Sequence, residues 1–179
     1  FMERDAIEFG QKYLNINTYP TEGIGGHLLV ELDGDDTNTL FAQSEAIAAV
    51  AEAHNALDII FADEPEKRKE LWRIRRCLGE AVKGGENIYK EEDTVVPRAE
   101  LPALLLKVKD LGAEFGFRSV CYGHAGDGNL HINILKDNIP DEKWENELPI
   151  AITALFEFVK QVGGTLSGEH GIGWVQRRY

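Results

Sequence analysis

The residues of this chain best suited to chemistry lie in two glycine-rich segments. One is Gly123-His124-Ala125-Gly126-Asp127-Gly128-Asn129-Leu130-His131-Ile132-Asn133, and the other is Ser167-Gly168-Glu169-His170-Gly171-Ile172-Gly173. If residues 125–130 lie outside the strand ladder, His124 and His131 face each other across a hairpin, with Cβ atoms about 4.5–5.5 Å apart. Asn133 then shares the face of His131, while Leu130, Ile132 and Ile134 point the other way, into a core. Gly126, Asp127 and Gly128 supply the positive φ that a tight turn needs. A slip of one residue would put the histidines on opposite faces. Neutral imidazole ligates zinc and other divalent transition metals. Two histidines and a carboxylate around an open coordination position form a catalytic arrangement. Glu169 could supply that carboxylate, with His170 as a base or a further ligand. The spacing also allows a plainer reading, in which the histidines close the hairpin by hydrogen bonds and Glu169-His170 is a solvated loop. The helical H-E-x-x-H pattern of zinc proteases is absent from the sequence.

Positioning these residues requires strands at 118–124 and 130–136, joined by the glycine-rich turn. The rest of the sequence predicts helices around them. Residues 1–14 read as an amphipathic helix with Met2, Ala6, Phe9 and Tyr13 on one side. His27 to Asp33 alternates like a strand. Asp36 or Thr37 caps an alanine-rich helix over 39–55, and Leu57 to Ala62 reads as a short strand. Asp63-Glu64-Pro65 starts a helix running to about Val82, with Leu71, Ile74, Leu78 and Val82 inward and Arg73, Arg75 and Arg76 projecting at different angles. Lys83 to Pro97 reads as a loop with an extended piece at 87–90. Pro102 opens a further helix, and Asp141 to Val162 forms a long one stopped by Gly163-Gly164. Thr165 to Ser167 can add a short strand. The expected class is α+β: an antiparallel sheet covered by helices on one face, with ferredoxin-like strand–helix–strand repetition. No linker divides the chain, so residues 1–179 are expected to form a single domain.

The 179 residues carry a net charge of −12, with a pI near 4.8. That balance disfavours nucleic-acid binding, and it means an anionic substrate needs local basic residues. Cys77 and Cys121 have no C-x-x-C neighbours, which points to a reducing compartment and a cytoplasmic location. No signal-peptide pattern opens the sequence, and no apolar run approaches the length of a membrane span. The start at Phe1-Met2 and the end at Arg177-Arg178-Tyr179 suggest a fragment of a longer protein.

Taken together, the two glycine-rich motifs resemble the C-terminal domain of FAD-linked oxidases, a family of glycolate oxidase flavin subunits, D-lactate dehydrogenases and D-2-hydroxyglutarate dehydrogenases. Glu31-Leu32-Asp33-Gly34, Leu71-Trp72-Arg73-Ile74-Arg75 and Val96-Pro97-Arg98 follow the family's order and spacing. The resemblance implies a cap domain that supplies the substrate site, with FAD held by a preceding domain absent from this chain. It implies a divalent metal, zinc being the expected one, on His124, His131 and Glu169. It further implies His170 as general base, Asn133 as a substrate contact, and Arg75 and Lys90 as carboxylate-binding cations. The reaction implied is oxidation of a 2-hydroxy acid to a 2-oxo acid with hydride transfer to flavin. Gly79 stands where the hydroxyglutarate enzyme has a threonine, which makes a dicarboxylate substrate less secure. Two other classes remain open: a non-catalytic metal or interaction module, and a metal hydrolase using Glu169 as base. The isolated chain is expected to be catalytically incompetent.

Overall fold

The computed structural model describes residues 1–84, 88–174 and 176–179. In chain order its elements are β1 (Met2–Glu3), α1 (Arg4–Leu14), β2 (Gly26–His27), α2 (Thr37–Ala53), α3 (Pro65–Lys83), β3 (Tyr89–Val95), α4 (Leu101–Phe115), β4 (Arg118–Tyr122), β5 (Asn129–Leu135) and α5 (Asp141–Gln161). Among the described residues the strands form one antiparallel sheet in the order β2-β1-β4-β5-β3. The class is α+β, as the sequence predicts. The helices, however, cover both faces of the sheet rather than one.

The reason lies in the central strands. β4 and β5 alternate between two buried surfaces, as strands covered on both sides do. Cys121, Leu130, Ile132 and Ile134 pack with residues of α4 and α5, including Leu104, Val108, Ile152 and Leu155. Val120, Tyr122 and Leu135 face the opposite way and pack with Ala6 and Ile7 of α1 and Ile74, Leu78 and Val82 of α3. The buried positions of α3 recur at helical spacing, so one stripe meets the sheet. Gly10 lets α1 approach it: a Cβ there would stand 2.8 Å from Ile74 Cγ1. Pro102 sits in the first turn of α4, and Gly116 ends that helix at φ 79°. Gly163, at φ 80°, follows the end of α5.

Five expectations need correction. Met2–Glu3 is strand, so the first helix begins at Arg4. Its inward face carries Ala6, Ile7, Gly10 and Gln11, and Tyr13 is half exposed. Of the strand expected over 27–33 only His27 pairs, together with Gly26 before it, on β1; residues 28–33 and 57–62 join no strand, and Leu28 and Val30 are exposed. Alternation alone supplies a side-chain pattern but no partner for the backbone. Residues 89–95, expected as loop apart from an extended piece at 87–90, form a full strand on β5; residues 85–87 of that loop lie outside the described residues. Thr165 contributes a single bridge to Val95 rather than a strand. Helix α2 forms with Asp36 as its cap, accepting from the Asn38 and Thr39 N–H groups. None of its residues is buried, and no helix among the described residues is long and apolar enough to cross a membrane.

Candidate active site

The site is built where β4, β5, β3, α3 and the loop after α5 meet. The cross-strand partner of His131 is Tyr122, not His124. His124 lies two residues further on, at the start of a 3-10 turn over Ala125–Asp127, so it keeps the parity of Tyr122 and leans over the same face. The two imidazole centroids are 6.1 Å apart at 80°. The turn closes through Gly128 at φ 74°, a conformation that suits glycine. The core-facing half of β5 is as predicted, with Leu130, Ile132 and Ile134 buried.

Glu169 reaches both histidines. Its Oε1 lies 3.9 Å from His124 Nε2 and its Oε2 3.9 Å from His131 Nε2. His170 stacks on His131, with centroids 5.4 Å apart at 21°. Among the described residues two triads have ligand atoms all within 4.8 Å of one another: His124, His131 and Glu169, and Glu91, His131 and His170. Ligands of one tetrahedral zinc at bonds near 2.1 Å lie about 3.4 Å apart. The first triad, with ligand atoms within 4.8 Å of one another, therefore needs closure of up to about 1.4 Å, and its two surface members, His124 and Glu169, are free enough of packing to provide it. The donor set of two nitrogens and a carboxylate oxygen suits zinc or a similar divalent ion.

Arg75 projects from α3 to the same place. Its Nη2 is 3.3 Å from His124 Nε2, and its guanidinium lies 5.2 Å from the Tyr122 ring centre. The lone pair that accepts from Arg75 is the one a metal would take, so Arg75 and an ion would compete for His124 unless the guanidinium turns to an anion. Burial lowers the Arg75 pKa, an effect opposed by Tyr122 and Glu169. Burial likewise lowers that of His131, against the attraction of Asp93, Glu91 and Glu169, which favours the neutral, ligating imidazole. The side chains line a shallow cavity of about 280 Å³ that also includes Arg76, Gly79, Glu91 and Tyr122.

Asn133 shares the sheet face of His131 but lies buried beneath the cavity, its Nδ2 donating to the Val120 carbonyl at 3.2 Å. Lys90 is not brought to the site. It pairs with Ile134 on β5 and so points to the opposite face, where its Nζ is 2.5 Å from Glu92 Oε1. Glu92 is fully buried and also accepts from Gln176. The strand period puts Glu91 and Asp93 on the site face instead.

Asp93 is the residue the sequence reading missed. It is 1% exposed and stands directly across from His131. Its Oδ2 accepts the backbone N–H groups of Gly168, Glu169 and His170 at 3.1, 2.6 and 2.9 Å. Its Oδ1 accepts from Asn129 Nδ2 at 2.6 Å. Burial, the largest single influence, would raise its pKa; the N–H bonds from Glu169 and His170, the Asn129 amide and the His170 ring together outweigh it and set the net direction downward. Gly168 is held tightly in the same cradle: a Cβ there would lie 2.5 Å from Asn129 Nδ2 and 2.7 Å from Val95 Cγ2. Had 89–95 been read as a strand, its period of two would have placed both acidic residues beside His131.

With this geometry in view, the comparisons with known proteins decide the family. The FAD linked oxidases, C-terminal domain, matches residues 1–179. The chain belongs to that family. It is 33% identical over 177 residues to a D-lactate dehydrogenase of Anaerostipes hadrus, covering 97% of this chain and 37% of the relative. It is 31% identical over 152 residues to the glycolate oxidase subunit GlcD of Bacillus subtilis, covering 85% and 32%. A probable mitochondrial D-2-hydroxyglutarate dehydrogenase of Oryza sativa subsp. japonica is 31% identical over 177 residues, covering 97% and 30%. The chain thus spans about a third of the length of the curated relatives it matches.

Proposed function

We propose that this chain is the substrate- and metal-binding cap of a flavoprotein that oxidises a 2-hydroxy acid to a 2-oxo acid, with FAD bound by a domain outside these residues. The observation that carries the reading is the convergence of His124, His131 and Glu169 with His170 and Arg75 on one cavity. The names of the relatives, for D-lactate, glycolate and D-2-hydroxyglutarate, supply the substrate class. The two free, buried cysteines suit the reducing, cytoplasmic setting read from the sequence.

His124, His131 and Glu169 would hold a divalent ion, zinc by its donor set. Such an ion would polarise the substrate hydroxyl and favour its alkoxide character. Arg75 grips the substrate carboxylate in a planar fork, which also frees His124 Nε2. Asn133 supports the cavity floor from β5. His170, with one face against His131 and the other toward solvent, accepts the hydroxyl proton; histidine is the side chain whose ordinary pKa suits that task near neutrality. A flavin bound by the other domain would supply the acceptor for the hydride of the substrate's C2–H bond.

The test uses the full-length protein. It should carry flavin and a stoichiometric divalent metal, and its flavin should bleach anaerobically with D-lactate or glycolate. His170→Gln should lower the rate of bleaching by about 10²–10⁴-fold while leaving the metal bound. A protein that binds flavin but is reduced by no 2-hydroxy acid would overturn the reading.

A further inference from the structure

Asp93 does two things that no role in the reaction accounts for. It gathers three consecutive backbone N–H groups of the loop that carries Glu169 and His170, and it faces His131 Nδ1 across the strand pair. The His131 Nδ1 atom is buried, and among the described residues it has no hydrogen-bond partner. Asp93 Oδ1 is its nearest carboxylate oxygen, at 3.5 Å, which is about 0.5 Å longer than an ordinary N–H···O bond. The opposite nitrogen, Nε2, points to Glu169.

We infer that Asp93 is the positioning residue of this site: it fixes the proton of His131 on Nδ1, leaving the Nε2 lone pair for an ion, and it locks Glu169 and His170 to the same strand. The inference rests on the metal reading above for its purpose, but not for its geometry. A carboxylate offers about four acceptor sites and no donor. Here Oδ2 takes the three loop N–H groups and Oδ1 only that of Asn129, so Oδ1 keeps a lone pair facing His131 and, with no proton to give, stabilises the arrangement that carries a proton on Nδ1. Outer partners of this kind set the tautomer and orientation of ligating histidines. An amide in its place reverses the sign. In Asp93→Asn the single amide oxygen would keep the loop N–H groups, Asn129 could turn its own amide over, and the new Nδ2 would donate to His131 Nδ1. The His131 proton would then sit on Nε2, where it blocks ligation.

Two measurements on the full-length protein test this. Histidine-selective 15N labelling of the metal-free protein near pH 8 reads the His131 tautomer, assigned through His131→Gln. The expected result is Nδ1–H in the wild type and Nε2–H in Asp93→Asn. Titration with Co2+, followed by its visible absorption, should show affinity lower by about 10–100-fold in Asp93→Asn. A purely structural Asp93 would lower the unfolding midpoint of the variant and leave both tautomer and cobalt affinity unchanged, and that result overturns the inference. So does a wild type with its proton on Nε2, a reading that stands even if Asp93→Asn does not fold. If the wild type binds no cobalt yet keeps the Nδ1 proton, the metal reading fails while the positioning of His131 by Asp93 holds.

Discussion

Residues 28–62 and residues 89–135 share much the same apolar lettering and end in opposite states. In the second region Leu130, Ile132, Ile134 and Leu135 are buried within the sheet. In the first, Leu28, Val30, Phe41, Val50, Leu57 and Phe61 all face solvent, and α2 buries none of its residues. The difference is pairing. β5 has β4 on one side and β3 on the other, so its backbone groups are satisfied and both its faces are covered. Residues 28–33 follow β2 without continuing its ladder. Hydrophobic pattern selects which face a strand would bury; a neighbouring strand decides whether it is buried at all.

The sharpest way to break this comparison is to remove equivalent apolar bulk from both regions. Ile132→Ala should lower the unfolding free energy by about 2–5 kcal/mol, because the site is fully enclosed. Val50→Ala, 62% exposed on α2, should change it by no more than about 0.5 kcal/mol. Urea unfolding of the two variants reads both, and equal losses would mean that α2 is packed after all.

Acid separates the regions next. The His131 pKa is lowered on folding, so the unfolded chain binds the proton more readily and stability rises with pH. The metal-free protein should therefore lose stability as pH falls from about 6.5, the ordinary histidine value, through the lowered one. Asp93, also lowered, adds a loss of the same sign below about 3.9. His131→Gln should flatten the upper part of the profile. An unfolding midpoint that rises on acidification would show that the neighbouring carboxylates outweigh the burial of the imidazole.

The smallest effect is local. Asp36→Ala removes the side-chain acceptor for the Asn38 and Thr39 N–H groups and should loosen the first turn of the helix. Because α2 stands apart from the core, amide exchange should quicken within α2 alone. Faster exchange in β5 as well would tie the two regions together.

The division also explains what could be read from the sequence. The hairpin and its flanking helices were legible because glycine, proline and apolar spacing mark them directly, as Pro102, Gly116 and Gly163 illustrate. β3 was not, because Lys90-Glu91-Glu92-Asp93 has the composition of an exposed loop. Its carboxylates are tolerated inside because Asp93 receives backbone N–H groups and Glu92 receives Lys90 and Gln176. Such partners come from distant parts of the chain, so no local window contains the information. The same miss hid the strand's period, which reversed the placement of Lys90 and concealed Glu91 and Asp93. In residues 28–62 the opposite error arises, since strand-like lettering is visible without any sign that a partner is lacking.

The three N–H bonds to Asp93 join residues 75, 76 and 77 positions apart. Bringing such distant segments together costs loop-closure entropy before the bonds can repay it. The hairpin of β4 and β5 and the packing of α4 against it are local by comparison and can form first. On that ground the candidate site is expected to assemble last, when the segment beyond α5 closes on β3. A chain that has collapsed around its sheet but has not made that closure holds every residue of the candidate site and has no site.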